Sequence, residues 1–88
     1  MKTFTCTVTD EMGLHARPAG LIAKKTAQFQ SKITLKCGGK EAACNRLIAI
    51  MKMAIKKGES VTFEIEGPDE EAAYEEFNSS VRKIFNRR

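Results

Sequence analysis

Short segments that alternate between apolar and polar residues recur along the chain, which is the pattern of strands with one buried face. In the first, Phe4, Cys6 and Val8 share one side while threonines occupy the other. Gly38-Gly39 is typical of a two-residue hairpin turn, after which a short strand is expected to return. Four strands are therefore predicted, over residues 2–9, 31–37, 40–44 and 60–66.

Three other segments have apolar residues at helical spacing. The first is predicted over 16–29, the second runs from an N-cap at Asn45 to Gly58, and the third begins after a cap at Asp69. The residues expected to face the core are Ala19, Ile22, Ala23 and Thr26 in the first helix, Leu47, Ile50, Met51, Ala54 and Ile55 in the second, and Ala73, Phe77, Val81 and Ile84 in the third.

The second helix has more apolar residues than one face can bury, because Ile48 and Met53 fall outside the core-facing side. Two interpretations are open. Either the helix is buried on two sides, or Leu47, Ile48 and Met51 form an exposed docking patch.

The element order β-α-β-β-α-β-α predicts an α+β fold, an open-faced β-sandwich in which three helices cover one face of a four-stranded antiparallel sheet. Eighty-eight residues allow one domain, which we place at 1–88. No segment has the length of a membrane helix, and the alternating N-terminus does not have the apolar core of a signal peptide. We therefore expect a cytoplasmic protein without membrane insertion.

The cysteines and the charge distribution change this picture little. Cys6, Cys37 and Cys44 are odd in number and lack a metal-binding spacing, so we expect buried free thiols and no metal. The net charge is +4, and acidic residues gather at 69–76, which leaves a basic face suited to acidic proteins as much as to nucleic acids. Basic residues complement the dipole at the end of the third helix, namely Arg82, Lys83, Arg87 and Arg88.

The candidate chemistry lies in the stretch 13–19, GLHARPA, which contains the only histidine. Pro18 suits the start of a helix, so His15 is expected at or just before a helix N-terminus. Free N–H groups and the helix dipole attract an anion there and favour a neutral, nucleophilic imidazole. Arg17 adds a fork of donors for phosphate oxygens. The stretch indicates a histidine that accepts phosphate, and the alternative is an ordinary surface or capping histidine beside a solvated arginine.

Placed between a first strand and a first helix in a chain of this length, the stretch 13–19 resembles the HPr family. These are the histidine-containing phosphocarrier proteins of the bacterial phosphoenolpyruvate-dependent sugar phosphotransferase system. The likeness covers the whole chain and includes Gly39-Lys40 and Lys57-Gly58. It implies a carrier without a cofactor and not an enzyme.

The resemblance also implies the roles of individual residues. His15 would take a phosphoryl group on Nδ1 from phosphorylated enzyme I and pass it to the IIA domain of a sugar transporter. Arg17 would contact the phosphoryl group and the partners, and the backbone of Ala16 and Arg17 would support the phosphate. Partner docking is expected at Gly20, Leu21, Lys24, Leu47, Ile48 and Met51, which favours exposure of the second helix. We expect a monomer.

One position departs from the family. Many Gram-positive members have a regulatory serine at the start of the second helix, where this chain has Arg46. Arginine cannot accept that phosphorylation, so we expect no serine-based control and a paralogue serving one pathway or another regulatory output. Treatment with such a kinase and ATP should leave every serine unmodified by mass spectrometry. Arg46 either strengthens docking on acidic partners or is simply solvated.

Three other functions are weighed against the carrier. A regulatory paralogue would use phosphorylation of His15 as a signal to a protein target. A nucleic-acid-binding module would need exposed aromatics for base stacking, but Phe4 and Phe63 are predicted to face inward. A phosphate-ester hydrolase would need Asp10 or Glu11 to position water and would release phosphate from an aryl phosphate without a protein partner.

Overall fold

The computed structural model describes residues 1–85, and its elements follow the predicted order. Arg87 and Arg88, expected to complement the last helix, lie outside the described residues. The strands are β1 (Lys2–Thr7), β2 (Lys32–Cys37), β3 (Lys40–Ala43) and β4 (Ser60–Glu66), and the helices are α1 (Ala16–Thr26), α2 (Leu47–Lys52) and α3 (Glu70–Phe85).

The four strands form one antiparallel sheet in the order β1-β4-β2-β3. β4 is therefore an inner strand, and its Phe63 pairs with Phe4 on one side and with Leu35 on the other. Alternate residues of β1, β2 and β4 are buried, while the opposite face carries mainly threonine, lysine and glutamate side chains. This arrangement, with three helices on the apolar face, confirms the predicted open-faced α+β sandwich.

Aromatic rings occupy the centre of the core between the sheet and α3. Phe63 stacks on Phe4 at a centroid distance of 5.1 Å and meets the edge of Phe77 at 5.2 Å. Phe63 and Phe77 are completely buried. The inward direction predicted for Phe4 and Phe63 is confirmed, so neither is available to stack on a base.

Strand β1 and helix α1 both end earlier than predicted. β1 ends at Thr7 and not at residue 9, although Val8 stays buried and its N–H donates to the carbonyl of Glu59. α1 ends at Thr26 and not at residue 29, because the next amides, of Gln28 and Phe29, donate to carbonyls three residues back. Such bonds tighten the chain into a final turn that does not continue the α-helix. Ala23, expected in the core, is only half-buried.

α2 differs most from its prediction, because it ends at Lys52, well before Gly58. The amides of Met53 and Ala54 donate to carbonyls three residues back, and Ala54 has a left-handed φ of +52°. Met53, predicted to lie outside the core face, is buried, whereas Ala54, predicted to be buried, is exposed. Beyond the end of the helix, the carbonyl of Ile55 accepts the amide of Leu14, which lies in the loop before α1.

One predicted cap and one core position are also wrong, whereas Asp69 directly precedes α3 and its carbonyl accepts the amide of Ala73 at 2.8 Å, as expected of an N-cap residue. The N-cap of α2 is Arg46 and not Asn45, and its side chain makes no capping bond. The carboxylate of Asp69 accepts hydrogen bonds from the amides of Gln30 and Ser31, and so ties the start of β2 to the turn before α3. In α3 the last fully buried residue is Phe85, while Ile84 is half-buried.

The three cysteines are buried and free, as predicted. Burial raises the pKa of the Cys44 thiol to about 12, whereas a thiol in the unfolded chain ionises near pH 8.5. The stability that comes from keeping the Cys44 thiol buried and neutral is fully present below the thiol pKa of the unfolded chain. It is lost as the pH rises above that pKa, because only the unfolded chain then gains thiolate. We expect a loss of about 1.4 kcal/mol per pH unit above roughly pH 9 from this group. Urea unfolding at pH 8 to 10.5 measures the loss, and Cys44→Ala should flatten the pH slope; an unchanged slope would contradict the prediction.

Candidate functional site

His15 is the N-cap of α1, as expected from its place in the sequence. Its backbone is extended, with φ −87° and ψ −169°, and its carbonyl accepts the N–H of Ala19 at 3.0 Å. Helix α1 begins at Ala16, so Pro18 is the third helical residue and not the first. The reason for its tolerance is unchanged, since amides throughout the first turn have no partner within the helix. His15 therefore lies where free N–H groups and a positive dipole end meet solvent.

Hydrogen bonds from three of its backbone amides hold the loop before His15 in one conformation. The amide of Gly13 donates to the carbonyl of Asp10 at 2.9 Å, and the amide of Met12 donates to Asp10 Oδ1, also at 2.9 Å. Leu14 is buried and its amide donates to the carbonyl of Ile55 at 2.9 Å. The chain after α2 thus supplies the contact that fixes the His15 loop.

Gly13 makes this contact possible. Its φ is +72°, and a Cβ added there would lie 2.2 Å from the carbonyl oxygen of Ile55. Only glycine has both the required conformation and the required small size.

Asp10 lies beside the imidazole. Its Oδ2 is 3.4 Å from His15 Nε2, and the side chains are 44% and 30% exposed. The backbone N–H of Met12 is the main cause that lowers the pKa of the Asp10 carboxyl, with smaller contributions from His15 and Arg17. The sequence alone indicates Asp10 only as a group that would position water in a hydrolase. A turn signal, aspartate three residues before glycine, was available, but the contact itself depends on how the loop closes.

Arg17 and Ala16 occupy the first turn of α1, and both are exposed. Their amides are among those without a partner inside the helix. The guanidinium of Arg17 is close enough to Asp10 to affect its ionisation. The structure brings together His15, the two amides and Arg17 at one helix end, which is a suitable arrangement for a phosphoryl group.

The predicted docking residues lie on α1 and α2, which pack against each other. The large apolar residues among them are exposed, with Ile48 at 62%, and they are Leu21, Leu47, Ile48 and Met51. The expectation that Leu47 and Met51 face the core is therefore wrong, and the exposed interpretation of the second helix is right. Gly20 is half-buried and Lys24 is exposed.

Met12, which no sequence pattern singles out, is 75% exposed in the His15 loop. An exposed methionine in a turn has no periodicity from which its direction could be read. We refer to the exposed large apolar residues of the His15 loop, α1 and α2 as the apolar patch; they are Met12, Leu21, Leu47, Ile48 and Met51.

Within residues 1–85 there is no group of three or more histidine, cysteine, aspartate or glutamate side chains placed to hold a metal ion. In the same part of the chain, no helix is both long and apolar enough to span a membrane.

The sequence was compared with family models and with known proteins. Residues 2–83 match the family model described as the PTS HPr component phosphorylation site. This chain belongs to the HPr family. The phosphocarrier protein HPr of Mycoplasma capricolum is 35% identical over 92% of this chain and 91% of its own length.

Solved structures of HPr proteins share the fold. The histidine-containing phosphocarrier protein of Mycoplasma superposes with a TM-score of 0.89 and 32% identity, covering 96% of this chain and 97% of its own. An HPr dimer from Thermoanaerobacter tengcongensis has a TM-score of 0.74 and 30% identity, covering 99% and 100% of the two chains. Membership in this family makes a phosphocarrier role in the phosphotransferase system the general function of the chain.

Proposed function

We propose that His15 accepts a phosphoryl group on Nδ1 from phosphorylated enzyme I and donates it to the IIA domain of a sugar transporter. The observation that carries this proposal is the position of the only histidine, at the N-cap of α1 with Arg17 on the first turn. The chain is then a stoichiometric carrier in the cytoplasm and not a catalyst in its own right.

In the transfer step the lone pair of Nδ1 attacks phosphorus, and the bond from phosphorus to the donor group breaks with its electron pair leaving on the donor. The attacking nitrogen needs no general base because its lone pair is already free. The phosphoryl oxygens meet the amides of Ala16 and Arg17 and the guanidinium of Arg17. A carrier must also release the group, so this moderate stabilisation suits the role better than a metal clamp.

The proposal is tested by incubating the chain with enzyme I and phosphoenolpyruvate and measuring the intact mass. We expect a gain of one acid-labile phosphoryl group, followed by its loss on addition of a IIA domain. No gain with an enzyme I that phosphorylates another HPr would refute the proposal. Gain without transfer to any IIA domain would favour the regulatory alternative, in which phosphorylated His15 signals to a protein target.

The apolar patch supports docking of these partners, because exposed methionine, leucine and isoleucine side chains beside a basic helix suit an apolar surface with an acidic rim. Lys24 on α1 and Arg46 at the start of α2 are both exposed and supply positive charge. Arg46 also stands where a regulatory serine is found in related proteins, so we propose that serine phosphorylation does not control this chain.

Ile48→Glu is expected to slow phosphorylation by enzyme I about tenfold, since it places an acidic group in the docking surface and removes an exposed apolar anchor. The rate is measured at limiting enzyme I by intact mass. Thr3→Glu is the matched control, because Thr3 is equally exposed but lies on the open face of the sheet. Equal rates for the two variants would show that α2 does not contribute to docking.

We propose that the chain is a monomer, because the apolar patch is then free for partners. Sedimentation at micromolar concentration tests this, and a stable dimer like that of the Thermoanaerobacter protein would contradict it.

A further inference from the structure

The carboxylate of Asp10 and the ring of His15 are placed to determine which imidazole nitrogen reacts. We propose that Asp10 is a positioning residue that holds the proton of the neutral ring on Nε2 and leaves the lone pair on Nδ1. This inference rests on the proposed function and adds the reason why one nitrogen and not the other accepts the phosphoryl group.

The geometry of Asp10 supports this role because its two oxygens have different partners. Oδ1 accepts the amide of Met12 at 2.9 Å, which fixes the carboxylate to the turn, and Oδ2 is then directed to Nε2 at 3.4 Å. The amide of Gly13 donates to the carbonyl of Asp10 and closes this turn. The amide of Leu14 donates to the carbonyl of Ile55 and anchors the turn to the segment after α2. The carboxylate is thus held by the backbone and not by the ring that it orients.

The chemistry of the pair favours one tautomer of the ring. An ionised carboxylate only accepts hydrogen bonds, so the nitrogen that faces it is favoured as the protonated one. An aspartate is ionised at neutral pH at its ordinary pKa, and the amide of Met12 is the main group that lowers the pKa of the Asp10 carboxyl further. The N–O distance is long for a hydrogen bond and both side chains are partly exposed, so we expect a bias between tautomers and not an absolute choice.

The same contact assists the transfer step. As the Nδ1–P bond forms and the donor bond breaks, the ring becomes a phosphorylated imidazolium with its proton still on Nε2. Asp10 faces that proton and compensates the charge on the ring. When the group passes to an acceptor, the Nδ1–P bond breaks, the electron pair returns to Nδ1, and the proton stays where it was.

The first test uses the unmodified protein. Nitrogen-15 NMR of the histidine ring at a pH where it is neutral distinguishes the two tautomers by the shifts of Nδ1 and Nε2. We expect the Nε2–H form to predominate. A predominant Nδ1–H form would overturn the inference without any variant being made.

The second test is Asp10→Asn. The side-chain carbonyl oxygen of asparagine can still accept the amide of Met12, and its side-chain NH2 can donate to Nε2 of the ring. We expect the Nδ1–H fraction to rise and the initial rate of phosphorylation by phosphoramidate to fall about threefold to tenfold. In that reaction the Nδ1–P bond forms while the P–N bond of phosphoramidate breaks and ammonia leaves. Because the donor is a small molecule, partner docking does not affect the rate.

Glu11→Gln is the matched control, since it removes the same charge from the next residue, whose carboxylate lies toward Lys57 and not toward His15. It should change neither the tautomer nor the rate. Equal tautomer populations and rates in Asp10→Asn and Glu11→Gln would overturn the inference while leaving the carrier proposal intact. Absence of any phosphorylation of the unmodified chain, by phosphoramidate or by enzyme I, would instead refute the proposed function.

Discussion

A chain in which His15 is replaced by alanine is expected to gain no phosphoryl group from enzyme I and phosphoenolpyruvate. No other imidazole exists in the sequence, and the three cysteines, the next strongest nucleophiles, are buried thiols whose pKa values are raised by burial. His15 is partly exposed and makes its only described side-chain contact with Asp10, so its removal should not unfold the domain. Intact mass after incubation measures the result.

Arg17→Ala provides the graded comparison for that experiment. It removes one set of donors to the phosphoryl oxygens while Nδ1 remains, so slower labelling, by about tenfold or more, is expected with the same end point. Circular dichroism and urea unfolding should be unchanged for both variants, because both side chains lie at the helix end and outside the core. A phosphoryl group gained by the His15→Ala chain would show that another residue is the acceptor and would refute the proposal.

The strands could be predicted from sequence because one face of the sheet packs in the core and the other meets solvent, which requires apolar and polar residues to alternate. Alternation alone places Phe4, Cys6 and Val8 on one side of the first strand and turns Phe63 inward, and all four residues are buried. The hairpin at Gly38-Gly39 was equally readable, since both glycines adopt the positive φ that such turns require. These features depend on neighbours in sequence, and that is why local pattern was sufficient.

The second helix could not be predicted in the same way, because its apolar periodicity continues past the residue where the helix ends. A helix continued to Gly58 would have buried Ile55 by periodicity. Ile55 is indeed buried, but it lies beyond the end of α2 at Lys52, and its carbonyl accepts the amide of Leu14, which is distant in the sequence. Met53, also beyond the end of α2, is buried, whereas Leu47 and Met51 within the helix are exposed and form part of the apolar patch.

In the candidate site too, the residues set by their sequence neighbours could be predicted and the contact set by distant residues could not. His15 and Arg17 were identified because adjacent residues place them at a helix start, and the resemblance to HPr supplied their roles. The contact of Asp10 with the His15 ring depends on the hydrogen bond that closes the 10–13 turn. It also depends on the hydrogen bond from the amide of Leu14 to the carbonyl of Ile55. The segment after α2 thus links α2, where we propose that partners dock, to the loop that presents His15.

Gly13→Ala tests that link and is expected to destabilise the fold by about 2–4 kcal/mol, as the sum of left-handed strain and overpacking. The added Cβ would lie 2.2 Å from the carbonyl oxygen of Ile55 and 2.9 Å from the Cα of Lys56, which are backbone atoms and cannot rotate away. Urea unfolding measures the loss. Phosphorylation by phosphoramidate should also slow, because the loop must move away from Ile55 and takes Asp10 and His15 with it.

Gly39→Ala separates the two causes. Its φ of +83° imposes a comparable conformational strain, but a Cβ there meets no atom within 4 Å, so a loss of only about 1 kcal/mol is expected. Phosphorylation should be unaffected, since the hairpin is not part of the His15 loop. If the two variants lost equal stability, conformational strain alone would explain Gly13, and the contact with Ile55 would not be what holds the loop. A larger loss confined to Gly13→Ala, together with slower labelling, would show that the end of α2 keeps the nucleophile in place.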